Sequence, residues 1–154
     1  MKNIRIACLD HTDPAIATDI HSVMMMAYGV EAKLLGISDF PPLRRARNDI
    51  SRAESSFIGS FLCNELAGVL EYEMHQEARI GIAAVVVLPN FFRLGLGTAL
   101  VRHIIQTLKG ARIEVCTAAA NAPALSLYRQ QKFDIAGSWI GDDRIAVVKL
   151  VNGL

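Results

Sequence analysis

The run from Arg79 to Leu88 is almost unbroken in apolar residues and stops at Pro89. A strand of this kind is expected to be buried on both faces, so the sheet it joins needs a covering layer on each side. Gly95 and Gly97 follow, and then an amphipathic helix from Gly97 to Lys109. That helix carries Leu100, Val101, Ile104, Ile105 and Leu108 on one face, with Gly110 as its stop. Glycines at a helix start let a ligand approach the backbone, because no Cβ stands in the way. The first N–H groups of a helix have no intrahelical partner and lie at the positive end of its dipole, so residues Gly95, Leu96, Gly97 and Thr98 suit a phosphate or pyrophosphate. Arg93 adds a fixed charge and a fork of donors. Taken alone, Gly-x-Gly is equally a tight strand-to-helix turn with nothing bound. Two other phosphate motifs do not fit. No Gly-x-x-x-x-Gly-Lys-Ser/Thr run exists, and a dinucleotide fingerprint needs a small residue where Leu100 stands and an early βαβ unit.

The remaining chain reads as one mixed α/β domain spanning residues 1–154. Ile4 to Leu9 alternates as a first strand, and Asp13-Pro14 gives an N-cap followed by a first-turn proline. The helix it opens has an apolar stripe of Ile16, Ile20, Val23, Met24 and Ala27, and is expected to stop near Gly29. Phe40-Pro41-Pro42-Leu43 excludes regular helix. Residues Arg44 to Ser55 then read as a short polar helix whose arginines (Arg44, Arg45, Arg47 and Arg52) face solvent. Three antiparallel strands follow: Phe57 to Cys63, Ala67 to His75, and Arg79 to Leu88, with turns at Asn64-Glu65 and near Glu77. Ala111 to Thr117 is a further strand. Asn121-Ala122-Pro123 opens a helix to about Gln131, with Asn121 as cap, and a last pair of strands starts at Phe133, separated by a turn-rich stretch from Gly137 to Asp143.

Composition narrows the class of function. The chain is 52% apolar and 20% charged, with a net charge of +1. That is a globular protein with no global pull toward nucleic acid or an anionic membrane. No apolar run reaches membrane-spanning length and no basic-then-apolar leader precedes the first strand, which gives the expectation of a cytoplasmic protein. Cys8, Cys63 and Cys116 stand singly in apolar runs and read as reduced core thiols. His11, His21, His75 and His103 are scattered, without a metal-ligand spacing, so no metal is expected.

Val87-x-Pro89 followed by Arg93-x-Gly95-x-Gly97 resembles the acetyl-CoA signature of the GNAT superfamily of N-acetyltransferases, Gln/Arg-x-x-Gly-x-Gly/Ala after a Val-x-Pro strand end. Phe92 takes the place of the usual Gln or Arg, with Arg93 beside it. Asn121 and, seven residues later, Tyr128 resemble the second motif of that family, where Lys132 replaces the usual Gly before Phe133. The resemblance implies a central, mostly antiparallel sheet of about six to seven strands flanked by about four helices. It implies acetyl-CoA as co-substrate, with the pyrophosphate on Arg93, Leu94, Gly95, Leu96, Gly97 and Thr98. It places the pantetheine against the backbone of Val85, Val86 and Val87 and near Asn121, and makes Tyr128 the general acid for the leaving thiolate. It further implies a small-molecule or peptide amine as acceptor, roofed by residues 29–43, and is compatible with a homodimer through the last strands.

An amine acceptor must lose a proton before it attacks a thioester. With the hairpin centred near Glu77, Glu71 falls about opposite Ala83, close to the strand end assigned to the acetyl group, and is the candidate base, with an ordered water relay as the alternative. Glu114 reads as an outward polar residue, and Trp139 fits a pocket, an interface or a core. Two rival readings are a CoA-binding sensor or interaction module without turnover, motivated by Phe92, and a nucleotide-binding protein, which lacks the expected Lys and Mg²⁺ ligands.

Overall fold

The computed structural model describes residues 3–76, 78–141 and 143–153. Its elements in chain order begin with strand β1 (Ile4–Leu9) and helix α1 (Pro14–Leu35), a 3-10 turn at Pro41–Arg44, and helix α2 (Arg47–Ser51). Strands β2 (Ser56–Leu62), β3 (Glu65–His75) and β4 (Arg79–Val87) follow, then a 3-10 turn at Pro89–Phe91 and helix α3 (Leu96–Thr107). Strand β5 (Arg112–Ala118), helix α4 (Ala122–Gln130) and strands β6 (Asp134–Ile140) and β7 (Ala146–Asn152) complete it. The seven strands form one sheet in the order β1-β2-β3-β4-β5-β7-β6. Every neighbouring pair is antiparallel except β4 with β5. This is the expected mixed α/β architecture, with four α-helices against a mostly antiparallel sheet.

Each face of the sheet has its own core. On one, Leu100, Val101 and Ile104 of α3 and Tyr128 of α4 pack on Leu70, Ile80, Ile82, Ile113 and Val115. On the other, Ala17, Ile20, Val23, Met24 and Ala27 of α1 and Ile50 of α2 cover Phe57, Val69 and Val86. Burying a side chain of this size is worth about 1.5–3 kcal/mol, so the two layers together fix where the ends of β4 and β5 lie.

Three expectations need correction. Helix α1 does not stop at Gly29 but runs to Leu35, and closes on Gly36 in the left-handed conformation (φ 68°). One glycine inside a helix costs only about 1 kcal/mol, and packing on the sheet along the whole face, out to buried Ala32, outweighs it. The helix expected over residues 44–55 shrinks to Arg47–Ser51. The prolines hold Pro41–Arg44 in a tighter turn, and Arg45 is extended (φ −68°, ψ 124°). The cysteines are free but exposed, not core residues. Cys8 and Cys116 occupy exposed positions on their strands, and Cys63 sits in the β2–β3 turn at φ 53°.

The turn-rich stretch from Gly137 is strand as far as Ile140, where Trp139 stands exposed on the edge strand β6. Glu77, the expected centre of the β3–β4 hairpin, and Asp142 lie outside the described residues; the pairing His75–Arg79 flanks the hairpin tip. Glu114 is not a free outward group. Its carboxylate meets Arg112 at 3.1 Å, Lys149 at 3.4 Å and Arg79 at 3.9 Å.

Candidate active site

The sheet opens along its middle. β4 and β5 pair only from Arg79–Arg112 to Ile82–Val115. Beyond that point β5 continues against β7 alone, with Thr117 opposite Val148 and Ala118 opposite Val147. The separation coincides with a bulge in β4. Glu71 is opposite Ala84 and Tyr72 opposite Ile82, so Ala83 has no partner in β3. A bulge adds one residue and exchanges the faces of everything after it. Ile82 packs with α3, but Ala84 and Val86 pack with α1. The burial read from the apolar run therefore holds at Ile80, Ile82 and Val86 and fails at Arg79 and Ala83, which are exposed. From Ala83 to Val87 the β5-facing edge of β4 has lost its neighbour, leaving backbone donors and acceptors free to meet an extended ligand.

The gap is the mouth of a cavity of about 260 Å³. Ala83, Ala84 and Val85 line it from β4, and Cys116, Thr117 and Ala118 from β5. Tyr128 and Asn121 close it from α4, Tyr28 and Glu31 from α1. Phe40 and Pro42 add the aromatic and aliphatic roof that the stretch 29–43 was expected to provide.

Tyr128 is 4% exposed. The end of α4 fixes its position. The Phe133 N–H donates to the Tyr128 carbonyl (3.0 Å) and the Lys132 N–H to the Arg129 carbonyl (3.0 Å), the paired bonds of a Schellman cap. The two rings lie 5.4 Å apart, the apolar contact that accompanies such a cap. Lys132 takes the left-handed conformation (φ 67°) that glycine fills at least cost. The replacement of Gly noted in the sequence thus leaves the helix exit intact at some conformational cost. Burial pushes the Tyr128 hydroxyl well above the ordinary tyrosine range, and the nearby Glu31 and Tyr28 push it the same way. Tyr28 is likewise pushed up to about 12, by burial first and then by Glu71 and Glu31, with Arg45 opposing. Both phenols are neutral proton donors at physiological pH.

Asn121 has two partners. Its Oδ1 accepts from the Ala124 N–H (3.2 Å), capping α4, and its Nδ2 donates to Glu31 Oε1 (2.9 Å). Burial raises the Glu31 carboxyl above its usual range, and the Asn121 bond partly offsets this. Among the described lining residues there is no Lys, Arg or His, so no cation from the walls meets Glu31.

Glu71 is in a different condition. It is 5% exposed and both oxygens are taken. Arg45 Nη1 donates to Oε1 at 2.6 Å and Nη2 to Oε2 at 2.9 Å, and the Ser55 hydroxyl also donates to Oε2. His21 Nε2 donates to the Arg45 carbonyl at 3.0 Å, tying that segment to α1. Arg45 is therefore no solvated surface arginine. Glu71 pairs one residue further along β4 than the simple hairpin count gives, because of the bulge, and it does not line the cavity at Tyr128.

The glycine turn lies beside the same strand end. Gly95 is the N-cap of α3 at φ 86°, with no side-chain cap, and Arg93 is also left-handed at φ 63°. The leading N–H groups of α3 thus lack a side-chain acceptor. A Cβ on Gly97 would lie 3.4 Å from Leu127 Cδ2, 3.7 Å from Val87 and 3.9 Å from Val85, which places this turn against the far end of β4. Arg93, Phe92 and Gly95 are exposed, Leu94 and Thr98 half-buried, and Leu96 is buried in the core with Leu62 and Ala67. Leu96 can offer a ligand only its backbone.

A sequence model of the Acetyltransferase (GNAT) family matches residues 25–133. The chain belongs to the GNAT family. The UPF0157 protein YqkA of Bacillus subtilis is 36% identical over 132 residues, which is 85% of this GNAT chain. The chain spans only 38% of that relative's length. Among solved structures the GNAT fold recurs in the ribosomal-protein-S18-alanine N-acetyltransferase of Escherichia coli, at TM-score 0.74 and 18% identity over 97% of this chain and 92% of that one. It recurs also in the PaiA N-acetyltransferase of Thermoplasma acidophilum in complex with coenzyme A, at TM-score 0.74 and 16% identity over 96% and 98%.

Sequence reasoning missed Glu31, Tyr28 and Arg45 as site residues. The signal for Glu31 was present. It continues the stripe of Ile20, Met24 and Ala27 at helical spacing, so a carboxylate falls where the helix turns inward. An early stop at Gly29 removed it from view. No helix among the described residues is long and apolar enough to cross a membrane, and no group of three or more potential ligands there could hold a metal.

Proposed function

We propose that this chain is an N-acetyltransferase that moves an acetyl group from acetyl-CoA to a primary amine, small-molecule or peptide, by direct attack in a ternary complex. The observation that carries the reading is the parting of β4 and β5 after Ile82–Val115, at the cavity that Tyr128 lines. The residues present fit such a co-substrate. The free edge of β4 at Val85, Val86 and Val87 matches an amide-bearing pantetheine arm. The uncapped start of α3, with left-handed Gly95 and nearby Arg93, matches a pyrophosphate. Asn121 keeps one amide hydrogen beyond those it uses in the fold. Bound acetyl-CoA supplies a thioester whose carbonyl is open to attack.

The chain's own groups then divide the work. A backbone N–H on the free β4 edge meets the charge that develops on the carbonyl oxygen. Tyr128, kept neutral by burial, gives its proton to the departing sulfur. Glu71, held by Arg45 and Ser55, is a poor base; in this reading it fixes Arg45 and the segment that roofs the cavity.

The reading is tested by thiol release from acetyl-CoA against a panel of primary amines, with calorimetric CoA binding alongside. Tyr128→Phe is expected to lower kcat about 100-fold with CoA affinity kept. Phe92, 44% exposed where the family carries Gln or Arg, favours the second reading, a CoA-binding sensor. CoA binding with no turnover across the panel supports that reading instead.

A further inference from the structure

The carboxylates of Glu71 and Glu31 are in opposite states, and of the two only Glu31 lines the cavity at Tyr128. Glu71 is closed by a guanidinium and a hydroxyl. Glu31 has one oxygen held by a neutral amide and no cation among the described residues that share its cavity. A partly buried carboxylate without a counter-charge is costly to the fold. The groups facing it are Tyr28 on α1, Tyr128 and Asn121 on α4, Cys116 and Thr117 on β5, and Asp143 on the β6–β7 connection. None brings a positive charge. A cationic guest supplies what the walls omit.

We propose that Glu31 receives the ammonium group of the acceptor and takes its proton, and that Asn121 aims it by holding Oε1, so that Oε2 is presented to the guest. This rests on the transferase reading above. The balance is simple. The ammonium gives one proton to Glu31, freeing the lone pair that forms the N–C bond as the C–S bond breaks. The second proton lost by the nitrogen restores the Tyr128 hydroxyl, whose own proton has gone to the departing sulfur. One proton per turnover leaves for solvent by way of Glu31. The raised affinity of Glu31 for protons, caused by its burial, agrees with a group that accepts one. Glu31 is a catalytic base here; Asn121 is a positioning residue, and its cap on α4 ties the base to the helix that bears the acid.

The test compares wild type, Glu31→Gln and Asn121→Ser for kcat and KM across pH, using the best amine of the panel, with calorimetric CoA binding on each. Serine keeps the N-cap of α4 but is too short to reach Glu31. Glu31→Gln is expected to lose about 100-fold in kcat/KM for the amine at pH 7. That loss narrows toward about pH 10, where the free amine forms unaided, and CoA affinity changes less than about twofold. Asn121→Ser is expected to move the acidic limb of the kcat/KM profile upward, because the bond that favours the ionised carboxylate is gone. An unchanged rate in Glu31→Gln with an active wild type overturns this inference and leaves the transferase reading standing. So does a loss that is the same at every pH. A wild type that binds CoA but turns over no amine overturns both.

Discussion

Arg45 grips both oxygens of Glu71 from 26 positions earlier in the chain, at 2.6 and 2.9 Å. The pair sits where α1, α2 and β3 meet, the carboxylate 6% and the guanidinium 25% exposed by side chain. Bidentate geometry of this kind is the strong form of an ion pair. Its removal matters because of what is left behind. Arg45→Met strands a buried carboxylate, and is expected to cost about 3 kcal/mol of stability, read as a lower urea midpoint at unchanged slope. Glu71→Gln keeps an acceptor for the guanidinium and is expected to cost less. Equal, small losses in both variants would show that the pair is ornamental to the fold.

Gly95 and Gly97 look alike in the motif and differ in the fold. Gly95 is left-handed at φ 86°. Gly95→Ala is expected to destabilise by about 1–2 kcal/mol and to weaken CoA binding, since the α3 start moves with it. Gly97→Ala puts a methyl group 3.4 Å from Leu127, in ordinary contact, and is expected to fold as well as wild type. Calorimetry on both, with thermal melts, separates the two glycines.

Lys132 holds a glycine-like conformation at the exit of α4. Lys132→Gly relieves the side chain of that backbone, and is expected to add up to about 1 kcal/mol. A rise in Tm without change in Tyr128-dependent rate would fit. A fall in Tm would mean that the Lys132 side chain contributes contacts worth more than the relief.

Glu31 carries a prediction that needs no substrate. Its carboxyl is raised above the ordinary 4.5 by burial. The folded state therefore binds its proton more tightly than the unfolded chain does. The associated stability is complete below pH 4.5 and is lost as pH rises from there through the raised value. Glu31→Gln is free of this dependence. The melting temperature of the variant is expected to gain on wild type from about pH 4.5 upward and to hold a constant offset below it. Parallel curves over the whole range would contradict the raised carboxyl.

The elements that the sequence discloses are those set by short-range chemistry. Asp13 caps α1 through the Ala15 N–H at 2.9 Å, Asn121 caps α4, and the glycine turn opens α3, all at the expected places. The stripe on α1 and the run of β4 were legible because burial follows a period. What was not legible depends on partners remote in the chain. The bulge at Ala83 has no signal of its own; it appears only when Glu71 and Tyr72 are laid against Ala84 and Ile82. Arg45 resembles its exposed neighbour Arg44, which pairs with Asp39 at the surface, until the fold sets Glu71 opposite it. Glu31 was lost to a boundary error of six residues, since a glycine that only weakens a helix was taken to end it.

A strand edge usually belongs to the rim of a sheet, where other chains can add to it. Here an edge lies inside the sheet, along Ala83 to Val87, walled by α4 on one flank and α1 on the other. Enclosure of this kind shields the unpaired edge from the strands of other chains. Alternate amides of that stretch should exchange with solvent quickly in the empty protein and slow when a guest takes the missing strand's place.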